Sequence, residues 1–242
     1  MKNSDRILHI LSYIGNAEKP VSPKELEEKL HIPISSVYRI LNTLMLWEYV
    51  THSHILGFYT LGAQSLKGRE LYEKYSLLTP SVEKILTTLM EKSNESAAII
   101  VSDLSKSICV SMIESKQALR CSFIPGKGDV LIRGASGKTL LAFYDEPLRE
   151  KILKHYFTDE QKAAKDALIA ELHIIQKRGY GRSVGEIDEG VLGISAPIFR
   201  QKQTAAVVTL MAPYFRSQDK EQEFIQLVMT AAHHITDIIN HN

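Results

Sequence analysis

Six polar side chains fall within nine consecutive positions: Ser35, Ser36, Tyr38, Arg39, Asn42 and Thr43. Short hydroxyls, a phenol, a guanidinium and an amide can hydrogen-bond phosphate oxygens and base-pair edges. A DNA major groove is wide enough to admit a helix carrying them. A second chemical stretch is Gly134-Ala135-Ser136-Gly137-Lys138-Thr139. Small residues let a bound molecule approach the backbone, and the N–H groups of a helix start favour an anion such as a carboxylate. The competing reading is a tight helix start where Gly and Ala only permit close packing. The stretch is not a phosphate-binding P-loop, because that motif needs a glycine five residues before Gly137 and position 132 is Ile.

Catalytic chemistry has no comparable support. No Ser, Cys or carboxylate pair stands in a nucleophile or metal context, and no metal or cofactor is predicted. Cys109 and Cys121 lie in strand-like runs, where a free cysteine behaves as a small apolar residue. His173 reads as a helix-surface residue, and one of His233 and His234 on the terminal helix is expected to face solvent.

The first set of residues needs a helix to present it. Val37, Ile40, Leu41 and Leu44 follow the i, i+3, i+4, i+7 rule over residues 33–48, so the six polar residues lie off the apolar stripe. A shorter helix precedes it. Ser22 is the cap, Pro23 sits where its missing N–H costs nothing, and Glu25 can close a capping box. His31-Ile32-Pro33 ends that helix, since the residue before proline is pushed out of the helical region. Two helices, a short turn and a polar outer face form a helix-turn-helix, although an ordinary αα-hairpin with a solvated face satisfies the same pattern. Residues 4–14, capped by Ser4, should form a supporting helix with Ile7, Leu8, Ile10, Leu11 and Ile14 apolar. After the pair, 49–52 and 58–61 alternate like strands around a turn at Gly57, which makes a wing.

The remainder reads as a different texture. Residues 61–75 form a loose helix with Leu61, Leu66, Leu71 and Tyr75 apolar, followed by a helix from Thr79-Pro80 to Lys92. Strands are expected at 97–101, 107–113, 119–124, 180–186, 191–199 and 204–211. Helices are expected at 134–143, 146–155 and from a capping box at Thr158 to Lys177, with a terminal helix capped by Ser217. An antiparallel sheet flanked by helices is an α+β arrangement.

Composition bounds the function class. The chain has 242 residues, 44% of them hydrophobic and 24% charged, which suits a soluble globular protein of one or two domains. No apolar run reaches the ~20 residues of a membrane helix, and the first residues lack the apolar core of a signal peptide. Two cysteines give no disulfide framework, so a reducing cytoplasm is the simplest compartment. Net charge is +1, and residues 1–62 hold six basic and six acidic side chains. That departs from the basic footprint usual for a DNA binder. Lys2, Arg6, Lys24 and Arg39 could share one face, and His9, His31, His52 and His54 could add charge. Modest affinity per domain, and hence dependence on dimerisation, is expected.

Residues 22–62 resemble the N-terminal domain of IclR-type bacterial transcriptional regulators. The resemblance rests on Pro33, Ser35, Ser36, Val37, Tyr38, Arg39 and the entry Tyr49-Val50 to the wing. GASGKTLLAF at 134–143 resembles the family sequence that opens a helix beside the effector pocket, and Gly190–Ile198 resembles its Gly-Val-x-x-Ile-Ala/Ser-Ala-Pro signature. The resemblance implies a winged helix-turn-helix at 1–61, a linker helix at 62–78 that helps pair two chains, and a GAF-like antiparallel-sheet effector domain at 79–242. It also implies a repressor that binds double-stranded, near-palindromic operator DNA as a homodimer or tetramer, and that answers to a small carboxylate-bearing effector. Residues 35, 36, 38, 39, 42 and 43 would touch DNA. Gly134, Ala135, Ser136, Glu186, Gly193, Ser195, Thr209 and Met211 would form the effector site. The family usually has Arg and a polar or sulfur side chain where this chain has Leu192-Gly193, and often serines where it has Thr209 and Met211. A more apolar effector than a two- or three-carbon acid is therefore expected. Family wings commonly carry Arg or Lys near the tip, whereas this one reads His52-Ser53-His54. Two other classes stay open at this point: an enzyme acting through the C-terminal domain, and a winged-helix protein-interaction module.

Overall fold

The computed structural model describes residues 3–68, 77–103 and 106–241, and the chain divides into two compact units, Met1–Ser76 and Leu77–Asn242. The first unit contains helices α1 (Asn3–Asn16), α2 (Pro23–Leu30) and α3 (Ile34–Leu46), then strands β1 (Val50–His52) and β2 (Tyr59–Leu61). Ser22 caps α2 as expected, its hydroxyl accepting from Glu25 N at 3.2 Å, but Glu25 does not close the expected capping box, because its carboxylate takes the Tyr13 hydroxyl at 2.8 Å instead. His31 ends α2 in the left-handed region at φ 52°. β1 and β2 pair antiparallel from Val50 opposite Leu61 to His52 opposite Tyr59. The core gathers Ile10 and Ile14 of α1, Leu26 of α2, the four stripe residues of α3, Val50 and Tyr59. α1 starts one residue before Ser4, so Ser4 does not cap it, and Leu8 is exposed. Residues 64–68 are helical, and the rest of the expected linker helix, including Leu71 and Tyr75, lies outside the described residues.

The second unit opens with α4 (Pro80–Ser93), capped by the Thr79 hydroxyl. Strands β3 (Ser96–Ser102), β4 (Lys106–Ile113) and β5 (Gly128–Val130) follow. Next come α5 (Gly134–Phe143), α6 (Glu146–Tyr156) and α7 (Lys162–Arg178), then β6 (Gly181–Val184), β7 (Val191–Arg200) and β8 (Gln203–Pro213). A short helix α8 (Tyr214–Ser217) precedes α9 (Glu221–His241). The six strands form one antiparallel sheet in the order β5-β4-β3-β8-β7-β6. Both faces are covered, and this is why β3, β7 and β8 read as nearly continuous apolar runs. Ala97, Ile99, Ile194 and Leu210 pack with α4 and α9, while Ala98, Ile100, Val207 and Met211 pack with α5 and α7. The alternation follows from side chains pointing to opposite faces of a strand.

Two expectations are corrected. Residues 119–124 are not a strand: β5 pairs with β4 only at Lys106–Ile108, and the segment beside the rest of β4 forms no ladder. The segment is held by side chains instead: Arg120 and Ser122 bond Glu114, Phe123 N approaches Met112 Sδ at 3.0 Å, and the Cys121 carbonyl accepts from Ser96 Oγ at 2.6 Å. Ser217 does not cap the terminal helix. It is fully buried, and its hydroxyl donates back to the Pro213 carbonyl at 2.7 Å, closing α8.

The seating of α5 on the sheet depends on Gly181. A Cβ at that position would overlap Thr139 Oγ1 and come within 2.8 Å of the Ala135 carbonyl oxygen. Gly181→Ala is expected to lower stability by about 1–3 kcal/mol through this overpacking, measured by urea unfolding of the full chain. Unchanged stability would mean α5 is not held where described.

Candidate nucleic-acid interface and ligand cavity

On α3 the division between buried and outward residues is sharp. Val37 and Leu41 are fully enclosed, and Ile40 and Leu44 nearly so. Ser35, Tyr38, Arg39, Asn42 and Thr43 are exposed, and Ser36 is half-buried. All six residues singled out by type are thus brought onto the outer surface of one helix. The Thr43 hydroxyl donates back to the Arg39 carbonyl at 3.0 Å and keeps its acceptor lone pairs outward. Arg39 is the only charged residue of α3, so this surface carries one guanidinium and no carboxylate. Pro33 offers no capping side chain, and the Ile34 N–H is instead taken by Glu27 Oε1 of α2 at 3.0 Å. That bond fixes α3 against α2, and sequence spacing gave no sign of it. The other cations add less than their number suggests. Lys24 lies 3.9 Å from Glu28, and Arg6 is half-buried with its Nε enclosed.

In the second unit a cavity of about 340 Å³ opens between α5 and the sheet. Gly134, Ala135, Ser136, Gly193, Thr209 and Met211, the residues that the resemblance pointed to, line it. The register explains the grouping. Gly193 lies opposite Met211, Ser195 opposite Thr209, and Ala98 opposite Thr209, all on the face that carries α5. Ser136, Ser195 and Thr209 share their hydroxyls, with Thr209 Oγ1 3.0 Å from Ser136 and 2.8 Å from Ser195.

Glu186 and Ser195 do not line the cavity. Ser195 is fully buried behind Thr209 and positions its hydroxyl. Glu186 has a structural task. One oxygen accepts from Gly134 N at 2.9 Å and the other meets Lys138 Nζ at 2.6 Å. Lys138 is buried to 3% exposure and also pairs with Glu171 of α7. The Ser183 hydroxyl accepts from Ala135 N at 2.9 Å. The first two N–H groups of α5 are therefore satisfied from within, and the expected carboxylate site at the helix start is already filled by the chain's own Glu186.

The sequence did not reveal the remaining lining. Ile100, Cys109, Phe123, Ile124, Ile187 and Val191 make much of the wall apolar, while Lys127, Asp129, Arg133 and Asp188 supply charges of both signs. Burial pushes the Cys109 thiol up to about 11, so it stays protonated at neutral pH and serves as wall rather than nucleophile. Among the described residues no group of three metal-ligating side chains occurs.

Removing charge at Glu186 tests the internal anchor. Glu186→Gln keeps an acceptor for Gly134 N–H but leaves Lys138 with Glu171 alone. Its carboxylate is 34% exposed, so a cost of about 2 kcal/mol is expected, below that of breaking a fully buried pair. Chemical denaturation of the full chain reads it, and an unchanged midpoint would show that Glu171 alone neutralises Lys138.

Comparison with known proteins agrees with this geometry. A family model described as the bacterial transcriptional regulator IclR C-terminal domain matches residues 75–237, and an IclR helix-turn-helix model matches 5–54. The transcriptional repressor IclR of Escherichia coli is 29% identical over 240 residues, covering 96% of this chain and 87% of that one. An IclR transcriptional regulator from Silicibacter sp. TM1040 superposes with a TM-score of 0.88 at 19% identity, covering 98% of this chain and 96% of that one. An IclR homolog from Microbacterium hydrocarbonoxydans, solved in complex with 4-hydroxybenzoate, superposes with a TM-score of 0.74 at 15% identity over 98% of this chain and 99% of that one. With family models matching most of its length, the chain belongs to the IclR family of DNA-binding bacterial transcriptional regulators, which are not enzymes.

Proposed function

We propose that the chain is a cytoplasmic repressor that binds a near-palindromic operator as a homodimer or tetramer, and that a small organic acid in the second unit changes its affinity for that operator. The domain division behind this reading is 1–61 for the winged helix-turn-helix, 62–78 for the linker and 79–242 for the effector domain. The observation that carries the reading is the outward surface of α3, where Ser35, Ser36, Tyr38, Arg39, Asn42 and Thr43 stand together with no carboxylate among them. Arg39 is the strongest candidate for a base or phosphate contact. Repression is supported by the name of the Escherichia coli relative.

The effector is an acid with substantial apolar surface. A cavity of about 340 Å³ has room for roughly ten water-sized groups at about 30 Å³ each. Ser136 and Thr209 offer hydroxyls, and Lys127 and Arg133 offer cations. The complex of the Microbacterium homolog with 4-hydroxybenzoate supports an acid of that size. Such a ligand can act only by binding two arrangements of the paired chains unequally. The linker segment is where that difference would be expressed.

Two outcomes are expected. Arg39→Ala should weaken operator binding about 10- to 100-fold and flatten its salt dependence by about one phosphate contact, read by fluorescence anisotropy; unchanged affinity would contradict the assignment. In a thermal-shift screen, aromatic or branched acids should stabilise the chain more than two- or three-carbon oxoacids. The reverse order would contradict the effector class.

A further inference from the structure

The tip of the wing is built in a way that phosphate contact does not explain. Leu56 is 99% exposed, and its neighbour Ile55 is 43% exposed. A single exposed leucine on a protein surface needs no account. This one stands at the apex of a tightly held turn. Phe58 N donates to the Ile55 carbonyl at 3.1 Å, and Gly57 has φ +80°, the third-position geometry of a type II turn. Ser53 closes the base: its N–H donates to the Phe58 carbonyl at 2.9 Å, and its hydroxyl accepts from Ile55 N at 2.9 Å. The turn thus holds Leu56 out in a fixed position, so little further ordering is needed to bury it against another molecule.

Two observations connect this tip to the DNA-facing surface. The first is continuity. The His52 ring packs against Tyr59 with centroids 4.9 Å apart, and β1 follows α3 after a three-residue connection. The second is charge. Residues 49–60 contain neither acidic side chains nor Lys or Arg, although the first 48 residues carry six acids. A tip without carboxylates can approach a phosphate-lined groove without repulsion.

Resting on the operator-binding reading above, we propose that Leu56 is an apolar wedge that enters the minor groove beside the major groove occupied by α3. There it partly unstacks one base step. Leucine and isoleucine serve this way in proteins that bend DNA, where unstacking is offset by the added contact area of the bent duplex. The preferred step is a pyrimidine–purine one, because those unstack most readily. Leu56 would then contribute to sequence choice without a hydrogen bond to any base.

The test uses the full chain and a duplex selected from a random pool by the wild-type protein, with 2-aminopurine placed at successive steps outside the α3 contact. Wild type is expected to raise fluorescence at one step. Leu56→Ala should abolish that rise and weaken binding about tenfold, with an unchanged salt slope because no phosphate contact is lost. Leu56→Met should restore both signals. Leu56→Ala with unaltered affinity and fluorescence would overturn the wedge. So would loss of self-association in that variant with fluorescence intact, which would make the tip a protein contact. If wild type selects no duplex, the operator-binding reading itself fails, and the wedge with it.

Discussion

Burial of Val37, Ile40, Leu41 and Leu44 is the constraint from which the first unit follows. These side chains complete a core with Ile10, Ile14 and Leu26 that none of the three helices could form alone. Turning the stripe inward leaves α3 no freedom about its axis, so its polar residues must face out. Glu27 then holds the start of α3 against α2. One of the acids that balance the charge of this unit is thus engaged within the fold. The balanced charge of this unit conceals a local bias: α3 and the wing carry no carboxylate, and the acids sit largely on α1 and α2.

The second unit is organised by a different contact. α5 is pinned to the sheet by Glu186 and Ser183 at its first two N–H groups and by Lys138 between Glu186 and Glu171. These links join α5, α7 and the β6–β7 connection around the rim of the cavity. A ligand that shifts α5 by a few tenths of an ångström would disturb a buried lysine and both of its partners. Packed arrangements of this kind favour discrete alternatives over gradual deformation. On the proposed function, this is a physical route from the cavity to the rest of the unit.

Local patterns were legible in the sequence, and distant pairings were not. The stripe of α3, the break at His31-Ile32-Pro33 and the helix start at Thr79-Pro80 follow from short-range rules, and the structure repeats them. Gly134, Ala135, Ser136, Gly193, Thr209 and Met211 were recognisable through resemblance and do line the cavity. Glu186 looked like a ligand contact because its partner Lys138 lies 48 residues away and no spacing rule links them. Residues 119–124 read as a strand because propensity does not show that side chains of Glu114, Met112 and Ser96 would hold the segment in place of a ladder. Ser217 has a capping side chain, but its hydroxyl found a carbonyl four residues back first.

In the proposed function α3 presents its polar surface to a DNA groove. A photo-crosslinking amino acid placed at Asn42 in the full chain, irradiated with selected duplex, tests this most directly. Adducts to bases are expected at two symmetric positions about one helical turn, or a multiple of it, apart. Adducts confined to protein, with none on DNA, would contradict it.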